Sequence, residues 1–209
     1  MLPEATPDLE PTVFIVDDDA AIRRSLRFLI ESSGLSVETY GTAEEFLDRY
    51  EPERPGCLIL DVRMPGMSGL NLQEELVARR AELPIIVVTG YAEVPMAVRA
   101  LRKGARDFIE KPFSDQMLLE KVRDAIASDL EARRRKAERD VAVQLLARLT
   151  DREREVLAGV IAGKPNKVIA QELLLQIKTV EAHRAKVMKK LEADSLADLI
   201  RLAMLADGH

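Results

Sequence analysis

The chain has a single cysteine, Cys57, among 209 residues. That excludes a disulfide framework and makes a reducing compartment the natural setting. No apolar run approaches the length of a membrane span, so a cytoplasmic protein with no membrane partner is expected. Residues 1–11 lack both a basic head and an apolar core and instead carry Pro3, Pro7 and Pro11 among several acids. They read as a disordered tail and not as a signal peptide. His183 has no second ligand nearby in the chain, which argues for a packed or phosphate-touching residue over a metal ligand. The length suffices for one large domain or two small ones, each with a real core.

Charge separates the two ends. Up to Ala125 there are 15 Lys and Arg against 23 Asp and Glu, a net of −8; from Ile126 onward there are 16 against 13, a net of +3. An acidic front can hold a metal ion, and a basic back tolerates phosphates.

The stretch Cys57-Leu58-Ile59-Leu60-Asp61 is an apolar run that ends on a carboxylate, with Gly56 before it and Pro65-Gly66 soon after. Such a run reads as a strand buried on both faces of a parallel sheet. Four more strands are expected at 13–16, running into Asp17-Asp18-Asp19, and at 36–40, 85–89 and 106–110. Helices fill the intervals: one with Ile22, Leu26, Leu29 and Ile30 at helical spacing, one capped by Thr42, one from Gly69 or Leu70 to Arg80, one over 95–103 stopped by Gly104, and one capped by Ser114. Strands and helices in alternation give an α/β, doubly wound, five-stranded parallel sheet. In the flavodoxin-like order 2-1-3-4-5, Asp17, Asp18 and Asp61 would converge at the carboxyl edge, with Thr89 and Lys111 arriving from the next two strands.

Gathered carboxylates repel one another unless a cation joins them, and hard oxygen donors with room for water suit Mg²⁺. The same site would let an aspartate attack phosphorus while a lysine and a hydroxyl receive phosphoryl oxygens; Asp61, Lys111 and Thr89 are those three parts. Taken singly, Asp19 is an N-cap, Thr89 a strand terminus and Lys111 a surface charge. Their joint placement on strand ends carries the functional reading.

Asp17-Asp18, Asp61, Thr89 and Lys111-Pro112 at these spacings resemble the receiver domain of two-component response regulators, over about 12–126. The resemblance implies that Asp61 is the phospho-acceptor, that Asp18 ligates Mg²⁺ directly and Asp17 mostly through water, and that the Arg63 carbonyl is a further ligand. It also implies a switch pair, Thr89 and Phe108, that turns chemistry at the sheet edge into a changed helix 4/strand 5 face. The Lys111-Pro112 bond is expected to be cis, as in that family. Arg63 and Tyr91 flank the pocket and are expected to slow attack by water.

Residues 128–147 are highly charged and contain no Gly or Pro, which predicts a helical linker extending the fifth helix. Beyond it, Thr150 and Glu153 form a capping box for a helix ending at Gly163; a second helix spans 166–173, a turn 174–176, a longer helix 177–192, and Ser195 caps a last one. This reads as an all-α helix-turn-helix. The phrases Leu-Thr-Asp-Arg-Glu-Arg-Glu-Val-Leu, Asn-Lys-Val-Ile-Ala and Lys-Thr-Val-Glu-Ala-His-Arg resemble the LuxR/FixJ-type DNA-binding domain, over about 147–206. On the 177–192 helix, Val180, Val187 and Leu191 share one side. On the other, Lys178, Thr179 and Lys189, with Arg184 and Lys186 at the flanks, would hold phosphates, while Glu181, Ala182 and Ala185 face base edges. Where the family has Gly in the turn and Ser or Thr as the cap, this chain has Leu174 and Gln176. A left-handed conformation costs a branched residue about 1 to 2 kcal/mol, and Gln is a poor cap.

The expected organisation is a tail (1–11), a receiver (12–127), a helical linker (128–147) and a LuxR-type DNA-binding domain (148–209). The function that follows is a phosphorylation-controlled transcriptional regulator and not an enzyme. Its partners by the resemblance are a sensor histidine kinase, double-stranded DNA, RNA polymerase and a second copy of the chain on phosphorylation. Two rivals stand beside it. One is a receiver acting through protein contacts with a weakened DNA-binding domain. The other is a Mg²⁺-dependent phosphatase with an aspartate nucleophile, which would want a second carboxylate where Arg63 stands.

Overall fold

Along β1 (Thr12–Val16), β3 (Gly56–Leu60) and β4 (Ile85–Thr89) every residue is buried, as a strand covered by helices on both faces requires. The computed structural model describes residues 10–90 and 94–207, without side chains at 94–96. Its sheet is completed by β2 (Ser36–Tyr40) and β5 (Asp107–Glu110) in the order β2-β1-β3-β4-β5, and each neighbouring pair is parallel. This is the expected doubly wound order.

Alternation along the strands sends neighbouring side chains to opposite faces. Val13, Ile15, Cys57, Ile59, Ile86 and Val88 meet Leu26 and Ile30 of α1 (Ala20–Ser32) and Leu118, Val122 and Ala125 of α5 (Asp115–Ala147). Phe14, Val16, Leu58, Leu60, Ile85 and Val87 meet Phe46 of α2 (Ala43–Arg49), Leu72 and Leu76 of α3 (Gly69–Ala78) and Ala100 of α4 (Val94–Arg102). The Cys57 thiol, sealed in the first of these layers, is pushed up to about 12 by burial and by the nearby Asp129 carboxylate. It is core filler. Asp129, itself buried, accepts a 2.9 Å hydrogen bond from the Gly56 N–H and so ties α5 to the start of β3.

Helix starts follow their caps. Asp19 accepts from the amides of Ala21 and Ile22, Thr42 from Glu45, Ser68 from Asn71 and Ser114 from Met117. The contacts divide the chain between Ala132 and Arg133 into two compact units, and α5 runs without a break to Ala147.

In the second unit, α6 (Asp151–Ile161), α7 (Asn166–Glu172), α8 (Ile177–Lys190) and α9 (Leu196–Asp207) enclose a core of Val156, Leu157, Val160, Ile169, Val180, Val187, Leu191 and Leu199. The Thr150/Glu153 capping box forms on both sides. Among the described residues no helix is long and apolar enough to cross a membrane.

Candidate functional site

Asp17 and Asp61 leave the carboxyl ends of β1 and β3, which lie side by side; the Asp61 amide donates to the Val16 carbonyl at 2.9 Å and the Asp17 amide to the Tyr40 carbonyl at 3.3 Å. Thr89 closes β4, and its carbonyl accepts from the Lys111 amide at 2.9 Å just past β5. The Lys111-Pro112 bond is cis. Four strand ends thus deliver Asp17, Asp61, Thr89 and Lys111 to one place. Asp17, Asp61 and Thr89 are buried, at 3, 8 and 1 % exposure.

The ammonium of Lys111 bridges the two carboxylates, donating to Asp17 Oδ2 at 2.9 Å and to Asp61 Oδ1 at 3.0 Å. Their other oxygens accept backbone amides, Asp17 Oδ1 from Asp19 and Asp61 Oδ2 from Arg63. Burial pushes the Asp61 carboxyl above its ordinary value, and Lys111 only partly offsets this. For Lys111, burial works against the charged form, but the hydrogen bonds to Asp17 and Asp61 prevail and hold its pKa above the ordinary lysine value. The site thus pairs a buried carboxyl raised toward protonation with an ammonium held in its charged form.

Asp18 is exposed, as is Arg63, while Phe108 on β5 is half-buried against the core face that also carries Val87. Among the described residues no group of three or more His, Cys, Asp and Glu side chains stands ready to hold a metal ion. Two of the expected ligands, Asp17 and Asp61, nevertheless already converge on one cation, and their hard carboxylate oxygens suit Mg²⁺. Tyr91, expected at the pocket rim, lies outside the described residues, as do residues 1–9 of the expected tail.

Three supporting residues were not anticipated. Arg23 of α1 donates to the Asp17 carbonyl at 2.6 Å, Glu44 of α2 accepts from the Met67 amide at 3.1 Å, and Gly69 opens α3 against the end of β3. A Cβ at Gly69 would stand 2.0 Å from the Asp61 carbonyl oxygen, so only glycine lets α3 start there. The Gly-Leu opening of α3 was visible in the sequence, but its neighbour was not.

In the second unit α8 presents Lys178, Glu181, Ala182, Ala185, Lys186 and Lys189 to solvent, with Thr179 partly covered. Val180, Val187 and Leu191 are buried on the opposite side. Arg184, expected at the flank, is partly covered; its guanidinium donates to Asn166 Oδ1 at 2.7 Å and links α8 to the start of α7. His183 is partly covered, and its Nδ1 is buried without a partner among the described residues. The turn before α8 carries Leu174 at φ +54°, 93 % exposed, and Gln176 gives α8 no side-chain cap. Lys167, Gln171, Ile177 and Lys178 line a concavity of about 480 Å³ between α7 and α8, with lysines from both helices.

Residues 13–123 match the response regulator receiver domain, and residues 147–203 match the luxR family of bacterial regulatory proteins. The chain is 45 % identical over 205 residues to the transcriptional regulatory protein FixJ of Azorhizobium caulinodans, covering 98 % of this chain and 95 % of that one. It is 42 % identical over 198 residues to the transcriptional regulatory protein TdiR of Thauera aromatica, covering 95 % and 87 %. Among solved structures, the response regulator StyR is similar with a TM-score of 0.85 at 45 % identity, over 93 % of this chain and 98 % of that one. Full-length FixJ from B. japonicum is similar with a TM-score of 0.59 at 42 % identity, over 94 % and 97 %. With a buried aspartate pair bridged by lysine in a 2-1-3-4-5 sheet and a helix-turn-helix behind it, the chain belongs to the two-component response regulators that join a receiver to a luxR-type DNA-binding domain.

Proposed function

We propose that the chain is a transcriptional regulator controlled by phosphorylation of Asp61. The observation that carries this is the Lys111 ammonium held between Asp17 and Asp61 at the carboxyl edge of the sheet. A histidine kinase supplies the phosphoryl group: the P–N bond of its phosphohistidine breaks as an Asp61 carboxylate oxygen bonds to phosphorus. Lys111 neutralises the oxygens that gain charge, and the Thr89 hydroxyl receives one of them. Asp17, Asp18, Asp61 and the Arg63 carbonyl would hold Mg²⁺, which when bound supplies further charge neutralisation at the phosphoryl group.

Thr89 and Phe108 then act as the switch pair, and the altered α4/β5 face promotes pairing of two copies. Pairing sets two α8 helices on a roughly palindromic site, which multiplies affinity through effective concentration. RNA polymerase is the downstream partner, in the cytoplasm. Lys178, Thr179, Arg184, Lys186 and Lys189 hold phosphates; Glu181, Ala182 and Ala185 read base edges. The helix-turn-helix core closes despite Leu174 and Gln176, which favours DNA binding over a receiver that works by protein contacts alone.

The test is a small phosphodonor with Mg²⁺ or with EDTA, followed by intact mass, sedimentation and gel shift on fragmented genomic DNA. One added phosphoryl on the parent chain, none on Asp61→Asn and none in EDTA is expected, with labelling favouring dimers and shifted DNA. Label on the Asn variant at the parental rate would overturn the reading.

A further inference from the structure

Gln73 of α3 is completely buried, at 0 % exposure. Its Nε2 donates to the Ala100 carbonyl of α4 at 2.9 Å, while its Oε1 is buried with no partner among the described residues. Buried amides are kept when their bonds matter, because an unpartnered polar atom weighs against the fold and Leu or Met would fill the same space without it. The Ala100 carbonyl already accepts the amides of Lys103 and Ala105, at 3.2 and 3.0 Å, so Gln73 adds a third donor to the last turn of α4. The next residue, Glu74, grips the same turn from outside: its Oε1 accepts from Arg99 at 2.9 Å and from Lys103. Those two partners hold the Glu74 carboxyl below its ordinary value, the Lys103 hydrogen bond most of all.

Two consecutive α3 residues therefore clasp one turn of α4, one in the core and one at the surface. The other end of α4 is reached from Thr89 through only residues 90–93. On the proposed switch, a displacement of Thr89 would act on the start of the helix while Gln73 and Glu74 hold its finish.

We infer that Gln73 and Glu74 form a latch that keeps α4 in the unphosphorylated arrangement and so sets how far the receiver answers phosphorylation. This rests on the proposed Asp61 switch. Gln73 is a positioning residue: among the described residues it bonds to Ala100 and to neither Asp61 nor Lys111, and it acts by what it holds.

The test uses the full chain, Gln73→Met and Glu74→Gln, with phosphoramidate as donor and, as probe, a duplex selected by the parent protein from fragmented genomic DNA. Affinity is measured with and without label, and hydrogen exchange is followed at the amides of residues 99–105. Gln73→Met is expected to take up label at the parental rate, to exchange those amides faster when unlabelled, and to bind DNA about fivefold or more tightly without label while matching the parent once labelled. Glu74→Gln shifts the same way by less. A labelled-to-unlabelled affinity ratio in Gln73→Met equal to that of the parent overturns the latch alone. A parent that takes no label, or gains no affinity on labelling, brings down the switch and the latch together, and is seen before any variant is made. Should Gln73→Met fail to fold, Glu74→Gln decides, and an unchanged ratio in it overturns the latch.

Discussion

Lys111 Nζ stands 3.0 Å from Asp61 Oδ1, a contact between residues fifty positions apart that exists only because β3 and β5 end at the same edge of the sheet. The ammonium and the raised carboxyl are two halves of one electrostatic arrangement, and separating them has measurable consequences.

Lys111→Met removes the cation but keeps most of the side-chain volume. Uptake of phosphoryl from a small donor is expected to fall about a hundredfold or more, since a preorganised charge at the transferring group is lost. Intact mass against time measures it. Retention of the parental rate would mean that Lys111 only packs.

Asp61→Asn should stabilise the receiver at neutral pH while abolishing the label. The sign follows from burial: the folded chain holds the Asp61 proton more tightly than the unfolded chain does, whose value is near 3.8. Its favourable contribution is complete below that value and is lost as pH rises through the folded pKa. Thermal midpoints of the two proteins should therefore diverge at pH 7, with the Asn variant higher, and draw together near pH 3.

Leu174 keeps a left-handed backbone at φ +54° with almost all of its side chain in water. Leu174→Gly removes the strain and no packing, so the second unit should gain about 1 kcal/mol in urea unfolding. Gln176→Ser supplies the missing cap to α8 and should add about 0.5 to 2 kcal/mol. If neither change moves the second transition, the turn is not under strain.

Lys178 and Glu181 sit a turn apart on the open side of α8 and are expected to fail differently. Lys178→Ala should weaken binding to all duplexes alike and reduce the salt slope by about 1. Glu181→Ala should relax preference at one base pair by about 1 to 3 kcal/mol. Binding to a randomised duplex library at two salt concentrations separates them.

Glu153 is paired from two sides, by Lys190 at 2.6 Å and by the Thr150 amide at 2.9 Å on the same oxygen, and the Lys190 hydrogen bond above all lowers its pKa to about 2. The stabilisation is present above the ordinary value of 4.5 and is lost as pH falls through about 2. Glu153→Gln should lower the thermal midpoint of the second unit at pH 7, and the gap should close between those limits.

Local signals were legible in the chain. Asp19, Thr42, Ser114 and the Thr150/Glu153 box cap the helices assigned to them, because a cap involves residues two or three apart. The unbroken apolar run Val13-Phe14-Ile15-Val16 marked its strand in the same local way. Arg184 shows where this stops: its hydrogen bond to Asn166, eighteen residues away, has no local signal in the chain. The adjacent pair Asp17-Asp18 is similar. Both are expected as ligands, and only the fold sets them apart: just past the end of β1, Asp17 is buried and bonded to Lys111 while Asp18 is exposed.

By themselves the residues determined which segments become strands and helices, which faces are apolar, and that Asp61, Thr89 and Lys111 end their strands, since periodicity and capping are written within a few positions. Only the folded chain decided that Lys111 spans Asp17 and Asp61, that Asp129 ties α5 to Gly56, and that Gln73 reaches Ala100. Those contacts join residues 27 to 94 positions apart, and such pairings depend on the register and crossing of whole elements, which no local pattern encodes.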